Sequence, residues 1–312
     1  MKKIINNLFF GLALLFGFSA SSQSLADGIF MPKNTICGGL FYGQEQFSKY
    51  WEGTALRSNK NIGAMTMKSA SLAAIYGITD NINVVVSAPY ISTSASGGVL
   101  SGNSGLQDLT AALKYHIYGW NDFHIIGFLG GTLPLTNYVA ANPLAIGNQS
   151  KSIFGKAMLH YLNNKNWTFA AQVAYFLRSN ITIDAANYYT DQNVFSNQVR
   201  IDNVLQLGIR GGYYTYRMQV EVTLDRSAVQ GGFDIRRQDM MFPSNRQEST
   251  RLGLLSTYRI PFLADLQVLA NVSYVVDGRN VGQSTAFMFG LTKTLDFNKK
   301  KPEPANNIIK NN

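Results

Sequence analysis

Residues Trp167 to Arg178 read WTFAAQVAYFLR, and this stretch decides the fold class. Apolar and aromatic side chains occupy its odd positions, whereas the even positions are mostly small or polar. A helix would repeat its apolar positions every 3.6 residues, but here the repeat is two, which is typical of a strand with one apolar face. The stretch therefore predicts a β-strand that is long enough to cross a bilayer at a tilt.

The same period of two recurs along the chain. It is clearest in residues 107–118, 216–225 and 266–277, and it is weaker in 82–92 and 199–209. Six further stretches complete the set: 35–46, 62–76, 123–135, 151–161, 246–260 and 284–297. The chain thus predicts about 12 strands, an even number, as single-chain bacterial barrels require.

The links between the predicted strands alternate in length. Short links carry turn residues, such as Asp80-Asn81 and Asn121-Asp122. Longer links fall at 47–61, 93–104, 136–150, 182–198 and 226–245. Short periplasmic turns and long outer loops are the pattern of outer-membrane proteins. We therefore predict an all-β fold, a transmembrane antiparallel up-and-down β-barrel with both termini in the periplasm.

The composition favours a lipid-facing exterior. Only 14% of the residues are charged, against about 25% in ordinary soluble domains, and the chain has 16 Tyr and 19 Phe. The alternative is a soluble antiparallel β-protein such as a sandwich, because alternation alone also fits an apolar core under a polar exterior. The formal charge of +9 is spread along the chain without the concentrated basic face that nucleic-acid binding needs.

The chain begins like an exported protein. Lys2 and Lys3 precede an apolar stretch at 8–20, and Ser24-Leu25-Ala26 fits a signal-peptidase site. We predict a cleaved signal peptide at 1–26, a barrel at 27–297 and a disordered periplasmic tail at 298–312. A retained membrane anchor is the alternative at the N-terminus. These features predict export to the cell outer membrane.

Several motifs follow one another at loop-sized spacing. They read YGITDNINV at 76–84, SGLQDL at 104–109 and GTLPL at 131–135. In this order they resemble the outer-membrane transporter family named after the meta-pathway of phenol degradation, over about Asp27 to Phe297. RRQD at 236–239 and GRNVGQS at 278–284 resemble signatures of one branch of that family. The resemblance implies transport of small aromatic or apolar compounds, and it brings no established site residues.

Charged side chains on the predicted inward faces are the candidate lumen lining, in which basic residues outnumber acids. The candidate set is Lys114, His116, Lys156, His160, Arg178, Arg200, Arg210, Arg217, Glu221, Asp225 and Arg251. One interpretation is a structural lattice of paired charges that braces a narrow barrel. The other is a pore lining that favours anionic or polar-aromatic solutes. The two interpretations are compatible.

The charge pattern also predicts a register for one hairpin. Opposite charges would pair if Arg200 lay opposite Asp225 and Val204 opposite Glu221 on the lumen side. A register shifted by two residues keeps the same faces but opposes like charges.

Gating is expected from the outer loops, because Asp27–Asn34 is too short for a large plug. In the best loop candidate, Arg236, Arg237 and Asp239 could hold an aromatic acid by cation–π contact and ion pairing. A loop simply packed on its neighbours is the alternative.

The sequence favours a passive outer-membrane channel for small apolar or aromatic solutes. The alternative is a closed structural or ligand-binding barrel. A lipase-like enzyme is disfavoured, because none of His116, His124 and His160 has a serine two residues further on. The three histidines look isolated, so we expect neither a metal site nor a cofactor. The expected partners are outer-membrane lipids, the barrel-assembly machinery and an unidentified small solute.

Overall fold

A computed structural model describes residues 27–190, 192–236, 240–263 and 266–298. The predicted signal peptide and nearly all of the predicted tail lie outside these ranges. Within them, 12 long strands form one closed barrel. In chain order they are β1 Thr35–Phe47, β2 Met65–Thr79, β3 Ile82–Ala95, β4 Asp108–Trp120, β5 Phe123–Pro134, β6 Ser152–Leu162, β7 Trp167–Arg178, β8 Val204–Tyr214, β9 Met218–Val229, β10 Glu248–Ile260, β11 Leu266–Arg279 and β12 Thr285–Asp296.

Each barrel strand pairs in antiparallel fashion with the next one in the chain. β1 pairs with β2 on one side and with β12 on the other, which closes the sheet and leaves no free edge. Closure satisfies the backbone hydrogen bonds that hydrocarbon cannot satisfy. The predicted all-β, up-and-down antiparallel barrel is confirmed.

The exterior of the barrel is an apolar belt. Leu72, Leu129 and Val222 are 63%, 68% and 54% exposed on the outward face, whereas their chain neighbours on the inward face are more buried. Aromatic rings collect at one end of the belt, where Trp120 stacks on Phe123 with ring centroids 5.4 Å apart. A soluble sandwich would place polar residues on this surface, so the belt favours hydrocarbon as its surroundings.

Short turns join the strands at one end, here called the turn end, and longer loops join them at the other, the loop end. The loops pack together in an apolar cluster that contains Ile181, Ile183, Val199 and Ile201. Both Thr35 and Asp296, the first and last barrel residues, lie at the turn end. In the described part of the chain, no helix is long and apolar enough to span a membrane.

The predicted register of the β8–β9 hairpin is wrong. Asp225 lies opposite Gly208 rather than Arg200, and Glu221 lies opposite Gly212 rather than Val204. The hairpin turns later than predicted, where the Thr215 N–H donates to the Met218 carbonyl at 2.7 Å. The predicted strand at 199–209 therefore starts only at Val204, and the apolar side chains before it are buried among the loops instead of facing lipid.

Candidate functional site

The lumen is lined by the even-numbered residues of β5 to β8, by those of β4 as far as a bulge after His116, and by the odd-numbered residues of β9 and β10. Lys114 is fully buried, and His160 and Glu221 are 6% and 3% exposed. Because a strand alternates its two faces, the apolar belt outside obliges these polar side chains to lie inside. The predicted inward orientation holds for Lys114, His116, Lys156, His160, Arg210, Glu221, Asp225 and Arg251.

The N-terminal segment Asp27–Asn34 runs inside the barrel from the turn end to the middle of the lumen. There the Lys114 ammonium contacts the Asp27 carboxylate at 3.1 Å and donates to the Ile29 carbonyl at 2.5 Å. A buried ion pair of this kind is costly to break, because the charge left behind would be unpaired and shielded from water. The segment is short, as the sequence indicates, but it does enter the lumen, which the sequence did not lead us to expect.

The same segment is held along its length. The Met31 N–H donates to Asn83 Oδ1 at 2.7 Å, and Asn83 Nδ2 donates back to the Met31 carbonyl at 3.0 Å. Phe30 packs against the buried cluster of Ile126, Phe128 and Met158. We call Asp27–Asn34 the inserted segment, because it lies inside the barrel and fits its surroundings closely.

Ion pairs brace the rest of the lumen. Arg210 Nη1 lies 3.3 Å from Glu221 Oε2, and Arg251 Nη2 lies 2.7 Å from Glu45 Oε1. Arg251 also donates to Ser273. Buried charges are tolerated when they are paired and hydrogen-bonded. These contacts support the lattice interpretation of the inward charges without excluding a pore.

The sequence spacing suggested that the three histidines are isolated, but in the structure they are neighbours. His116 Nε2 lies 3.1 Å from His124 Nδ1, and the rings of His124 and His160 lie 6.5 Å apart. Antiparallel pairing places His124 directly opposite His160. Among the described residues, no group of three or more His, Cys, Asp and Glu side chains is arranged to hold a metal ion.

A cavity of about 190 Å³ opens in the lumen beside Lys156. Most of the residues that line it are polar, and they include Lys156, Gln172, Gln206, Asp225, Ser227, Ser249 and Arg251. Lys156 also lies over the ring of Phe128, 4.6 Å from its centroid. This cavity is the candidate solute site.

Three predicted lining residues lie elsewhere. Arg200 precedes β8 in a loop, where its side chain is 80% exposed and pairs with Asp202 at 2.7 Å. Arg217 is exposed in the turn between β8 and β9. Arg178 ends β7 and donates to the Asp202 carbonyl at 2.6 Å, which fixes a loop rather than presenting a charge to the lumen. The later hairpin turn explains the first two displacements.

A family model described as Putative MetA-pathway of phenol degradation matches residues 64–291. The chain belongs to this family. No curated protein matches the chain in sequence.

Solved structures share the fold. A COG4313 outer membrane channel from Pseudomonas putida F1 is 16% identical with a TM-score of 0.70, and the match covers 88% of this chain and 100% of that one. The translocator domain of the autotransporter NalP from Neisseria meningitidis is 8% identical with a TM-score of 0.49, over 95% and 98% of the two chains. The first likeness shows that this family member has the fold of an outer-membrane barrel.

The family-matched region includes the loop predicted to contact solute. The Arg236 guanidinium lies 3.7 Å from the ring centroid of Tyr189. Phe242 stacks on Tyr188 at 5.6 Å. These contacts favour a loop packed on its neighbours. Arg237 and Asp239 lie outside the described residues.

A hub of hydrogen bonds around Asn280 joins the loops over the barrel. The sequence did not identify the individual residues of this hub. Asn280 is fully buried, and its Nδ2 donates to Asp234 Oδ1 at 2.7 Å and to the Arg246 carbonyl at 2.6 Å. Its Oδ1 accepts from the N–H groups of Gly53 and Ile235. Asn280 also adopts a φ of 53°, which Asn tolerates better than most residues. The GRNVGQS motif contains Asn280 and was the sequence signal for this hub, but the structural role of the motif could not be inferred from the sequence.

Hydrogen bonding tunes one carboxyl of this hub. Arg279 donates to both oxygens of Asp234, at 2.8 and 2.6 Å. These bonds hold the pKa of the Asp234 carboxyl below its ordinary value. The ionised pair therefore fastens the loop that follows β9 to the end of β11.

Proposed function

We propose that this chain is a passive outer-membrane channel for small solutes, in particular aromatic compounds that carry a polar group. The observation that carries the proposal is the polar cavity inside a closed barrel with an apolar exterior. A structural barrel needs no such space, because side chains fill the interior of narrow barrels. Membership of a family named for phenol degradation supports aromatic solutes.

The lining argues for a polar group on the solute rather than for a purely apolar compound. Amide, hydroxyl, ammonium and carboxylate groups surround the cavity, and each would lose hydrogen bonds to water beside an apolar molecule. This refines the sequence-based proposal of apolar or aromatic solutes.

The proposal has further parts. The termini and the turn end face the periplasm, a signal peptide ending at Ala26 directs export, and the chain has no catalytic activity. Its partners are outer-membrane lipids and the barrel-assembly machinery. The apolar belt supports the lipid partners, and the short turns support a periplasmic turn end.

A closed, non-conducting barrel is the second candidate, because the inserted segment and the ion pairs occupy part of the lumen. Single-channel recording in planar bilayers separates the two. Stepwise ohmic openings are expected for the channel. A purified, folded protein that stays silent at all voltages and salt concentrations would support the closed barrel instead.

A further inference from the structure

The cavity owes its space to small residues in two adjacent rows of the lumen wall. One row runs across paired positions from Lys156 through Ala174, Gln206 and Ser227 to Ser249. In the next row, Gly208 lies between Gln172 and Asp225 and has no side chain. A Cβ at Gly208 would lie 2.5 Å from Asp225 Oδ1 and 2.6 Å from Gln172 Nε2. Gln172 and Asp225 therefore converge over this glycine.

The Gln172–Asp225 wall presents hydrogen-bond acceptors. Gln172 Nε2 lies 3.5 Å from Asp225 Oδ1, but Gln172 Oε1 is buried and meets no donor among the described residues. That oxygen is closed off from the cavity as well, so the acceptor of this wall that faces the cavity is the Asp225 carboxylate.

The cation that is paired with Asp225 across the strands does not neutralise its carboxylate. Arg251 is the cross-strand partner of Asp225, yet its guanidinium turns away to Glu45 at 2.7 Å. Asp225 therefore keeps acceptor capacity toward the cavity. A hydroxyl group has one hydrogen to donate, and the Asp225 carboxylate can accept it.

Lys156 is a cation that lines the cavity in the other row. An ammonium group in a site shielded from bulk water attracts a carboxylate strongly. The cavity thus offers a cation and a carboxylate acceptor within about 190 Å³, which is about the volume of six water molecules.

We propose that this cavity binds a small carboxylate that also carries a hydroxyl group, with the carboxylate at Lys156 and the hydroxyl donating to Asp225 beside Gln172. The proposal deepens the proposed function, since it names the solute class of a channel lumen. It concerns binding, so it can be tested whether or not the barrel conducts.

Three probes separate the two halves of the site. 4-Hydroxybenzoate carries both groups, benzoate lacks the hydroxyl and phenol lacks the carboxylate. Calorimetric titration of the full-length protein in detergent should give the tightest binding for 4-hydroxybenzoate. Each missing group should weaken binding by about tenfold, the effect of one hydrogen bond to a charged partner.

Two variants test the two halves of the site separately. Lys156→Met should abolish the preference for 4-hydroxybenzoate over phenol but keep its preference over benzoate. Gln172→Leu combined with Asp225→Asn should do the reverse. Lys68→Met, an exposed lysine of β2 outside the cavity, is the matched control and should bind all three probes like the wild type. Retained gel mobility before boiling shows that each variant is folded.

The outcomes are distinct. Equal binding of the three probes, or preferences that neither variant alters, would overturn the site even in a conducting barrel. Selective binding that the variants change as described, in a barrel that never conducts, would support the site and overturn the channel. If one variant fails to fold, the preference lost in the other still decides.

Discussion

Val222 and Gln206 lie on paired strands but face opposite sides of the barrel wall. Val222 is 54% exposed on the belt, whereas Gln206 lines the lumen cavity. Val222→Arg should destabilise the barrel by about 2–4 kcal/mol, because it places a charge near mid-strand in hydrocarbon. Gln206→Arg should cost much less, since its charge remains in the polar lumen. Urea unfolding in lipid vesicles measures both, and equal losses would show that the belt does not face lipid.

Asp234 gives a pH-dependent prediction. Its lowered pKa means that the Arg279 contact stabilises the loop above the ordinary pKa of an aspartate and loses that effect as the pH falls through the lowered value. Asp234→Asn should therefore lower the melting temperature at neutral pH and match the wild type near about pH 2. Thermal melts at both pH values test this, with exposed Asp184→Asn as control. A difference that is the same at both pH values would contradict the linkage.

Asn280 is the residue on which the loop end depends most. All four hydrogen-bonding positions of its amide are used, two as donors and two as acceptors. Asn280→Asp keeps the shape but replaces the donating Nδ2 with an oxygen, which then faces two acceptors, Asp234 Oδ1 and the Arg246 carbonyl. Leaving buried groups unpaired in this way should destabilise the loop end by about 1–3 kcal/mol. Faster hydrogen exchange at Ile235, with β4 to β7 unchanged, is the expected result.

At the scale of elements, the inserted segment is the one with a functional prediction. Asn83→Ala combined with Lys114→Met removes two of its anchors without shortening the chain. If the barrel conducts, this variant should show larger or more frequent single-channel openings, because the segment then leaves the turn-end half of the lumen. The strand ladders do not involve these side chains, so the barrel should still form. Unchanged conductance would mean that the solute path avoids the segment.

The strands were predictable because their two faces meet different surroundings along their whole length. Residues 167–178 alternate for this reason, and the structure forms β7 over the same range. Residues 199–203 alternate too, but there loops replace lipid as the apolar partner. Alternation reports burial of one face and does not identify what covers it. The shifted β8–β9 register and the loop position of Arg200 follow from this ambiguity.

The lumen contacts could be predicted only in part. Parity placed Lys114 and His124 inside, but their partners depend on registers between strands that alternation leaves open. The seven residues before Asn34 are too few to show a period, so their position inside the barrel left no signal. The cavity depends on Gly208, which has no side chain. The importance of this glycine is evident only when Gln172 and Asp225 are seen on either side of it.

At the scale of the whole molecule, closure gives a simple test. A closed ladder of antiparallel strands resists detergent until it is heated, so the unboiled protein should migrate faster on gels than the boiled protein. The chain should also co-fractionate with outer membranes. Identical mobility before and after boiling, or intact protein free in the periplasm, would contradict a membrane-inserted closed barrel.

The seam between β1 and β12 has a consequence for biogenesis. It joins the two ends of the barrel sequence, so it is the pairing of highest contact order and the slowest to find its partner. The inserted segment is continuous with β1, and Phe297 and Asn298 bond to Asn34 and Lys33 where the seam begins. After β1 has paired with β12, the entry of a peptide into the closed barrel faces a kinetic barrier. We therefore expect the segment to enter while the sheet is still open and to be enclosed when β1 pairs with β12.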